Sequence, residues 1–224
     1  PLLIDSSLIK VQDNVDLSKV DQLRLLTDSK VTVDDLSGLK EDILAIGAYD
    51  DVTLLDTNIK VDDTVNSLEA KEIDALNHQS GTLTISSIQD SYLNIDSIEN
   101  ISTISISNAE IIITDAIGLE EAETLNTYTD NTVTLNNIFD NLSNLSELNN
   151  LKPSQNSVDG VDISNSEILI DGSLSYIEIQ QVANFTSGDV SPEKLVETHS
   201  NILQTNTISN VDLSTSLIEI SDIV

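Results

Sequence analysis

The stretch that decides the fold is Ile111–Leu145, which reads IIITDAIGLEEAETLNTYTDNTVTLNNIFDNLSNL. It opens with a short apolar run, continues with apolar residues about three apart, and shows both features again after residue 131. Alternation with a period of two is typical of a strand, and apolar residues three or four apart indicate a helix. The stretch therefore predicts a strand, a helix, a second strand and a second helix.

The same hydrophobic pattern returns along the whole chain with a basic period of 50 residues. The apolar pairs that mark it begin 50, 52, 57 and 50 residues apart, at Ile9-x-Val11, Ile59-x-Val61, Ile111-x-Ile113, Ile168-x-Ile170 and Ile218-x-Ile220. Each follows a similar pair, at Leu2-x-Ile4, Val52-x-Leu54, Ile104-x-Ile106, Val161-x-Ile163 and Val211-x-Leu213. Two extra residues near Asn77–Ser80 and seven around Leu151–Ser157 account for the longer steps. Such periods are typical of stacked repeats.

One unit reads as β-β-α-β-α. The residue before the first helix of each unit is of a type that caps a helix N-terminus. These capping residues are Asp16, Asn66, Gly118 and Ser175. In three of the four units a Glu follows three residues later, as in a capping box. The first helix is expected to end at Ser29, Gly81, Asn131 and Gly188. A three-residue strand follows, at Val31–Val33 and its equivalents, and the second helix is expected to be capped by Asp35, Ser87, Asn137 and the Ser191-Pro192-Glu193 segment.

Strands with only two inward residues cannot form a core alone, so each is expected to stack on its counterpart in the next unit. We therefore predict an α/β repeat solenoid of about 50-residue β-β-α-β-α units, with short parallel stacked strands and outer helices. The chain 1–224 would be a single array of units 1–50, 51–102, 103–159 and 160–209, with a partial unit 210–224. The alternative is a string of separate beads, for which the insertion containing Pro153 is the only plausible linker.

Composition excludes several classes of function. The formal charge is -30, and seven of the nine basic residues lie within the first 71 positions, so binding to nucleic acid or to anionic lipid is not expected. The apolar columns argue against intrinsic disorder. The absence of Cys excludes disulfides, and no apolar run is long enough for membrane insertion. Because the repeat is already under way at Pro1, we expect a processed product or an internal stretch of a longer protein.

Few residues suggest chemistry. His78 and His199 occupy unrelated positions in the unit, and no catalytic set is predicted. An aspartate recurs after the second strand, at Asp13, Asp63, Asp115 and Asp222. These four are candidates for weak calcium sites, and calcium is the only cofactor suggested. The alternative is that they shape a strand-to-helix turn by accepting hydrogen bonds from nearby amides.

A second recurring column consists of hydroxyl residues, at Thr32, Thr84, Thr134 and Ser191. A flat row of threonines can order water or bind ice or sugars. The alternative is that Thr simply suits an exposed strand position.

The pattern I-x-V-x-D, then a short capped helix, then V-T-L-x-x-I-x-D-x-x-x-N-L resembles repeats in very large secreted bacterial proteins. Ile111–Leu145 and Leu83–Ile95 carry the resemblance best. The chain is similar in this pattern to the repeat regions of giant adhesin-like and surface-layer-like proteins, notably of cyanobacteria and other marine bacteria. The resemblance implies an extracellular, cell-surface, non-enzymatic building element.

We therefore expect a structural segment of a secreted cell-surface or filament-forming protein. Its expected partners are other copies of itself or adjoining repeats of a longer chain, joined where sheet edges are exposed. The alternative is an extracellular adhesion module that binds glycan or a cell-surface partner, with the insertion Leu151–Ser157 as the place to look. A polysaccharide-cleaving enzyme is disfavoured, because four Tyr, two Phe and no Trp offer few sugar-binding platforms.

Overall fold

The computed structural model describes residues 7–77, 80–153 and 159–222. The chain falls into two compact units, Pro1–Glu110 and Ile111–Val224, and each is described by itself. The predictions made for Leu2-x-Ile4, for His78 and for most of the insertion Leu151–Ser157 lie outside the described residues.

The first unit alternates strands and helices. Its strands are β1 (Ile9–Val15), β2 (Val31–Gly38), β3 (Val52–Thr53), β4 (Asn58–Val65), β5 (Leu83–Asp90) and β6 (Ile104–Ser105). Its helices are α1 (Leu17–Arg24), α2 (Lys40–Gly47), α3 (Ser67–Asn77) and α4 (Tyr92–Glu99). All the strand pairs described are parallel: β1, β2, β4 and β5 lie side by side in chain order, and the short β3 and β6 pair with the beginnings of β2 and β5.

The second unit repeats this arrangement. Its strands are β7 (Glu110–Ile117), β8 (Thr132–Asn141), β9 (Gly160–Asp162), β10 (Glu167–Leu174), β11 (Val190–Glu197) and β12 (Leu217–Ile220). Its helices are α5 (Leu119–Asn126), α6 (Leu142–Asn150), α7 (Tyr176–Ala183) and α8 (His199–Thr205). Strands β7, β8, β10, β11 and β12 pair in parallel in that order, and β9 pairs with the beginning of β8. The α/β class, the parallel strands and the β-β-α-β-α order are confirmed.

The core lies between each sheet and one layer of helices. In both units consecutive helices contact one another and pack on the strands beside them, so they cover the same face of the sheet. Strands adjacent in chain order and joined by crossovers of one hand place their helices on one face. Fully buried Ile, Leu and Val fill the space between, including Ile59, Ile85, Ile113 and Ile170.

Each long strand contributes three inward apolar residues rather than the two predicted. In β2, β5, β8 and β11 the third is buried five residues after the first, at Leu36, Ile88, Ile138 and Leu195. In β1, β4, β7 and β10 it comes one residue later, at Val15, Val65, Ile117 and Leu174. A shift of register before this residue absorbs the extra position, as a β-bulge does.

Capping of the first helix of each repeat is as predicted. Asp16 accepts a hydrogen bond from the amide of Lys19, and Asn66 forms a reciprocal pair with Glu69. Ser175 and Glu178 form a complete capping box. At Gly118, which has no side chain, the Glu121 carboxylate accepts from the backbone amide.

Capping of the second helix was predicted wrongly. Asp35, Ser87, Asn137 and the Ser191-Pro192-Glu193 segment lie inside β2, β5, β8 and β11, and the helices begin at Lys40, Tyr92, Leu142 and His199. The third inward residue extends each strand past the expected cap. In α1, α5 and α7 the first helix also ends earlier than predicted, at Arg24, Asn126 and Ala183, and turns and bends carry the chain on to Ser29, Asn131 and Gly188.

The other face of each sheet carries no helix among the described residues. Its side chains are exposed or half-buried, for example Lys10, Thr32 and Lys60 in the first unit and Thr134 and Leu169 in the second. Parallel sheets are usually covered on both faces, so this bare face is the unusual surface of the fold. None of the described helices is long and apolar enough to span a membrane.

Candidate functional site

The recurring aspartates lie in or beside the ends of strands. Asp13, Asp63 and Asp115 fall at the register shifts of β1, β4 and β7. Asp63 accepts a hydrogen bond from the amide of Lys40 at 2.8 Å, and Asp222 accepts one from the amide of His199 at 2.9 Å. Among the described residues no three acidic or histidine side chains form a metal cluster. Calcium binding stays a prediction.

These contacts belong to a wider pattern that the sequence did not reveal. We call one strand together with the helix that follows it a coil. In five helices the first amide donates to a carboxylate 21 or 23 residues further along the chain, on the strand of the next coil or, for Asp222, just after β12. The N–H···O distances run from 2.8 to 3.0 Å. The pairs are Lys40–Asp63, Ser67–Asp90, Leu119–Asp140, Tyr176–Glu197 and His199–Asp222. A carboxylate at a helix N-terminus satisfies a free donor and opposes the positive end of the helix dipole.

Three of these carboxylates also hold the helix that follows their own strand. One oxygen of each carboxylate accepts hydrogen bonds from the backbone amide of the next residue and from the side chain of an Asn four residues later. The other oxygen accepts a hydrogen bond from the first amide of the preceding helix. We call these three sites the acid–asparagine pairs; they are Asp90 with Asn94, Asp140 with Asn144, and Glu197 with Asn201. Each pair joins two successive helices to the end of one strand, which explains the D-x-x-x-N spacing in the sequence.

The electrostatics of these pairs favour the ionised acids. Burial raises the pKa of Asp90, but hydrogen bonds from Asn94, Ser67 and Ser91 outweigh it and hold the pKa below its ordinary value. The pKa of Glu197 is lowered by hydrogen bonds from Asn201 and from the amides of Tyr176 and Thr198. Both carboxylates are therefore stronger acids in the folded chain than in the unfolded one.

Replacing Glu197 with glutamine is expected to destabilise the protein in a pH-dependent way. Because folding lowers the pKa of Glu197, its contribution is complete above the unfolded pKa of about 4.3 and is lost as the pH falls through the lower folded value. Urea unfolding of both proteins between pH 7 and pH 3 measures this. The difference between wild type and variant should be constant near neutrality and shrink below about pH 4.3. A difference that grows on acidification would contradict the assignment.

Most of the basic residues of the first unit also connect successive coils. The Nε–H of Arg24 donates to both carboxylate oxygens of Asp51, at 2.8 and 2.9 Å, and its guanidinium lies 3.5 Å from the ring centroid of Tyr49. Hydrogen bonding to Arg24 lowers the pKa of Asp51. Lys40 Nζ lies 2.8 Å from Glu69 Oε1. These cations therefore serve neighbouring coils of the first unit rather than an external anion.

The hydroxyl column lies on the bare face, but it does not form an unbroken row. In the first unit, Thr32 lies between Lys10 and Thr53, and Thr84 lies between Lys60 and Ser105. In the second unit, Thr134 pairs with Ile112 and Ser191 pairs with Leu169. The row of hydroxyl residues is thus interrupted by Lys in one unit and by large apolar residues in the other.

A groove of about 390 Å³ lies on the bare face of the second unit. Phe139 and Leu169 are register partners on β8 and β10 and are 49% and 45% exposed. Asn137, Glu167, Asp189 and Asp212 also line it, and all three carboxylates belong to exposed residues. We call these six residues the acidic groove. Sequence reasoning missed it, because Phe139 and Leu169 are 30 positions apart and only strand pairing brings them together.

Comparison with known proteins adds no family to this description. The site therefore has to be interpreted from its own geometry. No protein-family model, no curated protein and no solved structure matches the chain.

Proposed function

We propose that this chain is a non-enzymatic structural repeat segment of a secreted bacterial cell-surface or filament-forming protein. In this proposal α/β solenoid repeats stack on one another and self-associate, either with other copies or with adjoining repeats of a longer chain. The acidic exterior keeps the stacked material soluble.

The observation that carries the proposal is the recurring carboxylate contact between coils. A helix of one coil receives the cap of its first amide from the strand of the next coil, at Ser67–Asp90, Leu119–Asp140 and Tyr176–Glu197. A single coil is therefore incomplete both in its hydrogen bonds and in its sheet. Repeat proteins derive their stability from such contacts between neighbours, and their surfaces act through extension.

A surface suited to further stacking lies at β12. Ile218 and Ile220 occupy the same place in the repeat as Ile168 and Ile170 of β10. The β10 residues are at most 1% exposed, whereas Ile218 and Ile220 are 41% and 48% exposed. Covering these two side chains with another strand and helix would bury apolar surface that interior coils already bury.

Light scattering and electron microscopy of the purified chain test the proposal. We expect concentration-dependent assemblies, observed first with millimolar calcium and then with chelator. Loss of the assemblies on chelation would assign a role to calcium, and their persistence would assign assembly to stacking alone. A chain that stays monomeric at high concentration in both conditions would contradict self-association.

Replacing Ile218 with aspartate is expected to abolish these assemblies, because it places a charge where an apolar contact would form. The matched control is Ile177→Asp, which changes an isoleucine that is 71% exposed on the outside of α7. The control should assemble like wild type. Equal loss in both variants would show that added charge, and not the β12 surface, controls association.

The alternative function is an adhesion module that binds glycan or a cell-surface partner through the insertion Leu151–Ser157. Most of that insertion lies outside the described residues. Deleting it and measuring binding to a glycan panel tests that alternative directly.

A further inference from the structure

The bare faces of the two units differ at one equivalent place in the repeat. In the second unit, Phe139 on β8 pairs with Leu169 on β10. In the first unit the same positions are Ser37 on β2 and Lys60 on β4, which also pair. The repeat therefore does not require apolar residues there. An exposed aromatic and aliphatic pair in the second unit calls for an explanation beyond folding.

The acidic groove has two parallel rows of side chains. Phe139 and Leu169 form an apolar row, and Asn137 and Glu167 lie two residues earlier on the same strands and the same face. Ile168 pairs with Val190, so the residues that precede them, Glu167 and Asp189, lie side by side. Asp189 therefore continues the polar row. Residues two apart in a strand are separated by about 6.6 Å, and neighbouring strands by about 4.8 Å. The two rows are therefore close enough for one extended segment to contact both.

The charge of the groove points to the kind of partner. Glu167, Asp189 and Asp212 are exposed, and no Lys or Arg in the described part of the chain lines the groove. Asp212 accepts hydrogen bonds from the amide and hydroxyl of Ser214, which hold its carboxylate in place. The hydrocarbon stem of Lys or Arg can lie on an apolar surface while its charged end reaches a carboxylate, and a cation is also attracted to an aromatic ring.

We propose that the acidic groove binds an extended basic peptide segment in which Lys or Arg alternates with apolar residues. The apolar side chains pack on Phe139 and Leu169. The basic side chains on the opposite edge of the segment meet Glu167 and Asp189. The inference concerns the second unit alone and holds whether or not the chain self-associates.

A second copy of this chain is a poorer occupant. On the bare face of the first unit, Lys10 is paired with Asp34 at 3.2 Å and Lys60 with Asp62 at 2.7 Å. Lys30, at the place that Asp189 has in the second unit, is a single exposed lysine. The first unit therefore offers another copy of this groove one lysine rather than an alternating row of them.

Fluorescence anisotropy of a labelled peptide, acetyl-KLKLK-amide, titrated with the full chain tests the proposal. We expect saturable binding at low ionic strength that weakens with added salt. The double variant Phe139→Ser with Leu169→Ser leaves the net charge unchanged and should weaken binding at least about tenfold, since it removes the apolar row. Unchanged affinity in this variant would overturn the proposal, because it would show attraction to the overall charge only.

Further variants and probes sharpen the test. Phe139→Ser with Leu169→Lys reproduces the Ser37–Lys60 pair of the first unit and should abolish binding, whereas Lys60→Ser should leave it intact. The probes ELELE and SLSLS should not bind. Tight binding of SLSLS, or of a neutral maltohexaose probe with the same dependence on Phe139, would overturn the basic-peptide assignment. A wild-type dimer that the double variant dissociates would instead assign the groove to a second copy. Far-UV circular dichroism and urea midpoints check folding.

Discussion

Replacing Ile170 with alanine is expected to lower the free energy of unfolding by about 3–4 kcal/mol, which is the usual cost of truncating a fully buried isoleucine. Ile170 is 0% exposed and lies in β10, between the neighbouring strands β8 and β11 and beneath the helix layer. Removing its outer carbons leaves a cavity that strands paired on both sides cannot close. Urea unfolding followed by circular dichroism measures the shift of the midpoint.

Ile220→Ala is the matched control, because Ile220 occupies the same place in the repeat but is 48% exposed. Its truncation removes contacts that are already half lost, and we expect a cost under about 1 kcal/mol. Equal effects at the two positions would show that burial by neighbouring coils does not determine how much the isoleucine at this place in the repeat contributes to the free energy of unfolding. The comparison therefore tests the stacking contacts as well as the core.

Replacing Asp90 with alanine is expected to cost about 2–3 kcal/mol, which is more than an ordinary helix cap, because one carboxylate serves two helices. The amide of Ser67 at the start of α3 loses its acceptor, and Ser67 is itself buried. At the start of α4, Ser91 and Asn94 lose theirs as well. Urea unfolding at neutral pH and moderate salt measures the effect.

Asp50→Ala provides the control for charge, since it removes one acidic group from the same unit outside the acid–asparagine pairs. Reducing the negative charge of so acidic a chain relieves self-repulsion, so this variant should be neutral or slightly stabilising. If Asp90→Ala behaved like Asp50→Ala, the hydrogen bonds of Asp90 would contribute nothing beyond its charge. Asn94→Ala should show a smaller loss than Asp90→Ala, because it removes only one of the three donors.

The beginnings of the strands and of the first helix in each repeat could be predicted because their signals are local. The alternation at Ile59–Val61 or Ile111–Ile113 lies within three residues, and the capping residues Asn66 and Ser175 lie three residues from their Glu partners. Each signal reports a conformation that the nearby chain adopts in any context. The parallel pairing then follows from equivalent apolar pairs that must be buried together.

The second helix was misplaced because its local signal was ambiguous. Asp35, Ser87 and Asn137 are good capping residues, but they lie before Leu36, Ile88 and Ile138, which the sheet buries. Burial of a third apolar residue against the helix layer outweighs the capping preference of the residue before it. Correct placement needed the neighbouring strand as well as the segment itself.

The sequence by itself determined the α/β class, the repeat, the parallel strands and the first helix of each repeat, because periodicity and capping act over a few residues. Only the tertiary structure decided that Asp90 caps a helix beginning 23 residues earlier and that Phe139 lies beside Leu169 on a bare face. Both depend on which strands become neighbours and which face the helices cover. The summed burial of many side chains distant in sequence determines both, and no single segment of the chain is sufficient to predict them.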